Sequence, residues 1–336
     1  MRIRTTRRRL LGFVAVLVAL LFGGPLGGQA AYAIYMPYPG LPEPDPSITA
    51  PGWYWAQQAG MSETAKADQY VAVPPLTLVS VGGTIPLQQT VPGEQHFTSG
   101  GNAAFVSPPG APKPYGYMPP LRVRTVGFGM LPSEATIQIS QRFDHGQVVP
   151  VHAQFDYDYY SQGSVWQSFP GMVVKDAFNV RVTKVTMDGV SVGLTGNCHT
   201  VTPAPVQMTA PAYTIPMWVK DQNLNTETYL RDDLGIDNYF SPVFGGTLDG
   251  TIDIPPFTGC TTKTGDDLSS LLTLSASGPG NKVTTRVVIC GDDKTFLPPA
   301  PGDWDKWPFS AADPTTNYCR AIGPDEMIPY PTRSKN

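Results

Sequence analysis

A basic surface is the first thing this sequence lacks. Its 336 residues hold 23 lysines and arginines against 27 acidic residues, and five of the arginines, Arg2, Arg4, Arg7, Arg8 and Arg9, fall in the first nine positions. Without those five, 18 basic side chains stand against 27 acidic ones, a net charge near −9. Recognition of a phosphate backbone needs clustered cations, so nucleic acid is excluded as an expected partner. Cys-x-x-Cys pairs are also missing. The four cysteines, Cys198, Cys260, Cys290 and Cys319, are spaced too widely to suggest a tetrahedral zinc site. After residue 22 there is no second long apolar run, so no transmembrane anchor is expected. Stretches free of helix breakers are scarce as well: 36 prolines and 34 glycines are scattered without a collagen-like period, which excludes long helices.

What is present begins with an address. The arginines precede an apolar run, Leu10 to Phe22, and Ala31-Tyr32-Ala33 follows as a small-x-small site, so residues 1–33 read as a signal peptide cut before Ile34. Thr6-Arg7-Arg8-Arg9-Leu10-Leu11 fits the twin-arginine export pattern, although an arginine-rich Sec signal has nearly the same form. The mature chain is expected outside the cytoplasm, secreted or associated with the cell envelope. An even cysteine count in an oxidising compartment implies two disulfides. Of the three connectivities, the expectation is Cys260 with Cys290 and Cys198 with Cys319.

Between the breakers lie short segments with period-2 alternation, the pattern of strands with one buried face. Ala135 to Ser140 alternates throughout. Phe178, Val180 and Val182 oppose Asn179, Arg181 and Thr183, and the run continues through Val185 and Met187 to Asp188-Gly189, a hairpin dipeptide, before Val190, Val192 and Leu194 return. Leu248, Ile252 and Ile254 alternate with polar residues, and Val283 to Cys290 forms another strand. Short helical turns are expected only near Asp266 to Leu272 and at Ser62 to Gln69. The fold class is therefore all-β: an antiparallel β-sandwich or partly open barrel with little helix, stabilised by disulfides. The organisation expected is a Pro/Tyr-rich, polyproline-like arm at 34–70, a β-domain at 71–293 and a Pro-rich tail at 294–336.

Four blocks carry a resemblance. They are Phe128 to Thr136, Gly196-Asn197-Cys198-His199-Thr200, Gly245 to Thr251 running into Ile254-Pro255-Pro256-Phe257-Thr258-Gly259-Cys260, and Asp266-Asp267-Leu268 to Ser277-Gly278-Pro279-Gly280-Asn281 with Cys290. In this order they resemble signature blocks of a group of secreted actinobacterial β-rich proteins with no assigned activity, over roughly residues 120 to 290. The position after the first cysteine is often arginine in that group, and here it is His199. The resemblance implies the address and a β-rich domain, and transfers no catalytic residue.

The most chemical stretch is Phe143 to Tyr160, FDHGQVVPVHAQFDYDYY. Counting by two puts Val149, Val151, Ala153, Phe155, Tyr157 and Tyr159 on one face, and His152, Gln154, Asp156 and Asp158 on the other. Read as one strand, the polar side is a solvated face. Read as a site, Asp144, His145, His152, Asp156 and Asp158 are candidate metal ligands, with calcium favoured by the aspartates and a transition metal by the histidines. Gly189-Val190-Ser191-Val192-Gly193 matches G-x-S-x-G, but its serine falls on a returning strand with no helix after it, so chance explains the match. The acidic groups Asp232-Asp233-Asp237-Asn238 and Gly291-Asp292-Asp293 lack the spacing of a known calcium loop. Trp53, Trp55, Trp304 and Trp307 are candidates for stacking on a sugar, or for pinning the arm and tail.

Three functional classes follow. The leading one is an exported, non-catalytic β-domain with a binding or structural role at the cell envelope, without a cofactor. The second is a glycan- or lipid-binding protein, which requires an aromatic or apolar cleft. The third is a metal-assisted hydrolase built on residues 144–158, which requires those side chains to converge.

Overall fold

Alternation along the chain becomes curvature in space. The computed structural model describes residues 49–66, 69–91, 93–127, 131–224, 226–241 and 244–290, all within one compact unit. Three long strands come first: β1 (Thr49–Thr64), β2 (Gln69–Val91) and β3 (Glu94–Phe105). They are followed by β4 (Leu121–Gly127), β5 (Leu131–Ser140), the two-residue pair β6 (Phe143–Asp144) and β7 (Gln147–Val148), β8 (Val151–Tyr160), β9 (Val165–Phe169) and β10 (Met172–Met187). After β11 (Val190–Ser191), β12 (His199–Thr200), β13 (Ala204–Ala210) and β14 (Tyr213–Pro216), the chain makes a short helix, α1 (Met217–Asp221). An irregular helical segment covers residues 226–238. It then forms β15 (Phe240–Ser241), β16 (Gly245–Ile254), β17 (Phe257–Thr258), helix α2 (Ser269–Ala276) and β18 (Gly278–Cys290).

Nearly all the strands join one antiparallel sheet, ordered β14-β9-β8-β3-β2-β1-β18-β16-β13-β10, with β5 and β12 flanking the second half of β10. This sheet curls into a half-barrel, so of the two architectures expected the chain adopts the partly open barrel and not a two-layer sandwich. Strand β10 explains the opening. Met172 to Phe178 pairs with β13, and Asn179 to Met187 pairs with β5. Strand β10 approaches β8 within 8 Å between Cα atoms with no ladder between them among the described residues. At that seam Arg142 Nη2 donates to Asp176 Oδ1 across 3.1 Å. Close by, the buried Gln141 accepts from Phe105 N–H through Oε1 at 2.7 Å and donates through Nε2 to Ala103 and Val149 carbonyls. One uncharged side chain thus satisfies backbone groups where the β3–β8 ladder ends.

The expected strand faces are present. Val180 and Val182 are buried between exposed Asn179, Arg181 and Thr183. A bulge between Val182 and Lys184 then shifts the phase, so that Val185 returns to the interior. Asp188 and Gly189 adopt φ of 49° and 77° and close the β10–β11 hairpin as their sequence predicts. On β16, Leu248, Ile252 and Ile254 face inward. Gly250 lies between them where β13 passes so near that a Cβ would overlap Gln207 O.

Two expectations need correction. Residues 49–64, assigned to a polyproline-like arm, form β1, hydrogen-bonded to β2 on one side and β18 on the other. A strand between two neighbours satisfies its backbone better than a solvated arm does, and Ser62 to Thr64 are its last residues rather than the start of a helix. The cysteine pairing also differs: Cys198 is bonded to Cys260, not to Cys319, and Cys260 is therefore not available to Cys290. The cause is register. β12 pairs with β17, His199 opposite Thr258 and Thr200 opposite Phe257, which carries Cys198 to Cys260 with Cα atoms 4.2 Å apart. Cys290 lies at the far end of β18, opposite Trp55, with its side chain outside the described set. Cys319, the tail and residues 1–33 also lie outside the described residues.

The bridge closes a loop of 62 residues, worth about 4 kcal/mol in the loop-entropy account. Replacing both Cys198 and Cys260 by alanine is expected to lower the unfolding free energy by about that amount in denaturant titration. Peptide mapping of the non-reduced protein checks the pairing. It should recover Cys198 joined to Cys260, and recovery of Cys198 joined to Cys319 would refute it.

Candidate functional site

Inside the half-barrel the inward side chains pack along the walls but leave space between them. They surround a cavity of about 660 Å³, within the range of small-molecule and cofactor sites, about 300 to 1,000 Å³. Its walls come from almost every strand. Leu78 on β2, Phe105 on β3, Phe155 on β8, Val174 on β10, Met208 on β13 and Leu248 on β16 are representative. Many of these belong to the main hydrophobic cluster of the domain, so the core is a lined hollow.

Two caps limit it. At the start of β16, Phe240 pairs with Gly246 and Tyr239 O accepts from Thr247 N–H, placing an aromatic cluster there. Stacked rings run through it: Tyr157 to Phe169 at 5.5 Å, Phe169 to Tyr213 at 4.5 Å, with Phe97 on Tyr157 at 4.9 Å. Beyond the other end of β16, helix α2 contributes Leu272 and Ala276 to the cavity wall. Ten residues of strand separate the two caps by roughly 30 Å. The α2 cap is fixed by polar contacts: Thr273 Oγ1 accepts from Phe257 N–H, Ser277 Oγ donates to Pro255 O, and Asp267 Oδ1 accepts from Ser269 N–H. Asn281 Nδ2 donates to Ile252 and Gly278 carbonyls while its Oδ1 accepts from Ala65 N–H. Asp267 is held below the usual carboxylate range by its bonds from Ser269. All four blocks that carried the resemblance contribute to the cluster at this cap, with Ala135, Cys198, Phe257 and Cys260, and Leu268 packed together.

The stretch that looked most chemical divides as its alternation predicts. Ala153, Phe155, Tyr157 and Tyr159 line the cavity. The polar residues lie on the outer face and pair with β3, whose register sets Asn102 opposite His152, Thr98 opposite Asp156 and His96 opposite Asp158. His152 Nδ1 lies 2.9 Å from Asn102 Oδ1. Asp144 and His145 occupy the β6–β7 turn, where His145 and Gly146 have φ of 45° and 86°. Their side chains are exposed and 3.7 Å apart. The candidate ligands Asp144, His145, His152, Asp156 and Asp158 are thus spread along a turn and a strand, and no group of three His, Cys, Asp or Glu is poised for a metal among the described residues.

One pair escaped the sequence reading. His96 Nδ1 lies 2.6 Å from Asp158 Oδ1, and this bond, against an opposing effect of burial and with help from the charges of Asp158, Asp156 and Glu94, raises the His96 pKa above its ordinary 6.5. Its partner is 62 residues away and only the β3–β8 register brings it there.

The remaining candidates are dispersed. Ser191 is exposed on β11 and accepts from Gly193 N–H, with no helix following, and His199 Nδ1 bonds Asn197 O. Asp237 receives Arg286 Nη2 at 2.6 Å and Nε at 3.0 Å. Trp53 and Trp55 lie on β1 with side chains outside the described set, and Trp304, Trp307, Asp292 and Asp293 are outside the described residues. No helix among the described residues is long and apolar enough to cross a membrane. No protein-family model, curated protein or solved structure matches this chain.

The His96 pair gives a pH signature. A raised folded-state pKa stabilises the protein fully below the unfolded value near 6.5, and that contribution fades as pH rises through the folded value. An NMR titration should place the His96 midpoint above 6.5 and, in Asp158→Asn, lower it. A parent midpoint at or below 6.5 contradicts the pair.

Proposed function

We propose that this protein is an exported, non-catalytic binding protein of the cell envelope that holds a lipid chain inside its half-barrel. The observation carrying this reading is the cavity of about 660 Å³ lined by aliphatic and aromatic side chains. Close packing is the ordinary state of a protein interior, and a hollow forgoes the dispersion contacts that its lining would otherwise make. A flexible apolar chain restores them. Burying methylenes contributes roughly 0.8 kcal/mol each, so a long alkyl chain gains enough to offset the cost of ordering it.

Lipid is favoured over glycan by the character of the walls. A sugar needs many hydrogen-bonding partners, and the lining is dominated by Val, Ile, Leu, Met and Phe. Address and compartment rest on the arginine-led apolar run, on the cysteines, and on the ordered blocks that resemble secreted actinobacterial proteins. The Cys198–Cys260 bond suits an oxidising environment.

Ala153 points into the hollow from β8, and Ala153→Phe fills part of it without removing a hydrogen bond. The parent is expected to bind the uncharged fluorescent probe N-phenyl-1-naphthylamine with an emission enhancement. Ala153→Phe should weaken that binding by about tenfold or more while leaving the melting temperature unchanged or higher. Equal binding by parent and variant would place the probe elsewhere and defeat the proposal.

A further inference from the structure

The cavity wall carries almost no charge. Among the described residues no lysine, arginine or histidine lines it, and its one carboxylate, Asp176, is already engaged by Arg142 Nη2 and by Ala177 N–H. Its polar members are neutral: serines, threonines, glutamines, tyrosines and Trp166. Three of them hold buried polar atoms outside strict hydrogen-bond geometry with any partner: Trp166 Nε1, Thr285 Oγ1 and the Tyr213 hydroxyl, the last facing Ser241. Trp166 belongs to the aromatic cap and packs 5.4 Å from Tyr159. The Tyr159 and Tyr213 hydroxyls in the same cap are kept protonated by burial, which pushes both above the usual tyrosine range.

Resting on the lipid-binding reading above, we infer that the half-barrel selects an uncharged, oxygen-bearing lipid, such as a fatty alcohol or an acylglycerol, whose chain fills the hollow and whose oxygen accepts from Trp166 Nε1. Two independent costs point the same way. An ionised carboxylate or phosphate drawn inside meets no cation, and burying an unpaired charge costs several kcal/mol. A pure hydrocarbon leaves the indole N–H buried and unbonded, which is also unfavourable. A neutral lipid with a hydroxyl or ester avoids both. Trp166 is here a specificity-determining residue.

The test is competition against bound N-phenyl-1-naphthylamine at pH 8, where oleate is fully ionised, with four competitors of similar chain length: oleyl alcohol, monoolein, oleate and octadecane. Oleyl alcohol and monoolein are expected to displace the probe at concentrations at least about tenfold below oleate. Oleate competing equally or better overturns the charge argument while leaving the lipid-binding reading in place. Failure of the probe to bind at all overturns that reading itself. In Trp166→Phe, oleyl alcohol should weaken by roughly three- to tenfold, the loss of one hydrogen bond, while octadecane changes little. Equal weakening of both assigns Trp166 to shape alone and removes it from head-group recognition.

Discussion

The structure depends on a single constraint: the inward face of a long curled sheet is apolar, and its side chains leave a hollow in the half-barrel that they do not fill. Period-2 alternation gives each strand one oily face, and curling the sheet turns those faces toward one another. In a narrower barrel the same residues would interdigitate and form a solid core. Here Leu78, Phe155, Val174 and Leu248 face a shared hollow. Stability must then come from elsewhere. The ladders of β1, β2, β3, β16 and β18 bring long runs of backbone hydrogen bonds. The Cys198–Cys260 bond and α2 secure one cap, and the aromatic cluster secures the other.

The two faces of β8 show how one strand can mislead. Its outer residues are the reactive types, and chemistry attracts the eye. Register with β3 turns them into cross-strand polar pairs, Asn102 with His152 and His96 with Asp158, the ordinary way in which a solvated sheet face is stabilised. Its inner residues, Ala153, Phe155, Tyr157 and Tyr159, carry no obvious reactivity and build the wall of the cavity. The lipid-binding proposal therefore rests on the face that looks inert.

Much of this was legible in the sequence where local pattern decides structure. Alternation in β5, β8, β10 and β16 and the Asp188-Gly189 turn foretold strands, faces and a hairpin, and breaker density foretold the scarcity of helix. What escaped depends on contacts between distant residues. In β1 a register shift between Gln58 and Gly60 breaks the phase, so Gln57-Gln58-Ala59-Gly60 shows no alternation, and Pro51 with the aromatics after it resembles a loose arm. The disulfide differs from the expected pairing because the β12–β17 register, which chain order does not show, brings Cys198 to Cys260. His96 gave only a weak signal, its place in the alternation of Glu94, His96 and Thr98 against Gln95 and Phe97. The cavity was beyond reach of sequence, since the same oily faces fit a filled sandwich and a hollow half-barrel.

A crystal structure of the mature chain equilibrated with a bromine-terminated alkane tests the central claim most directly, because the halogen locates the chain without reference to activity. The account predicts an anomalous bromine peak within the half-barrel, among residues such as Phe155, Met208 and Leu248, with the strands in the order described. An interior in which those side chains close on one another, or a bromine bound only on the outer surface, would contradict it.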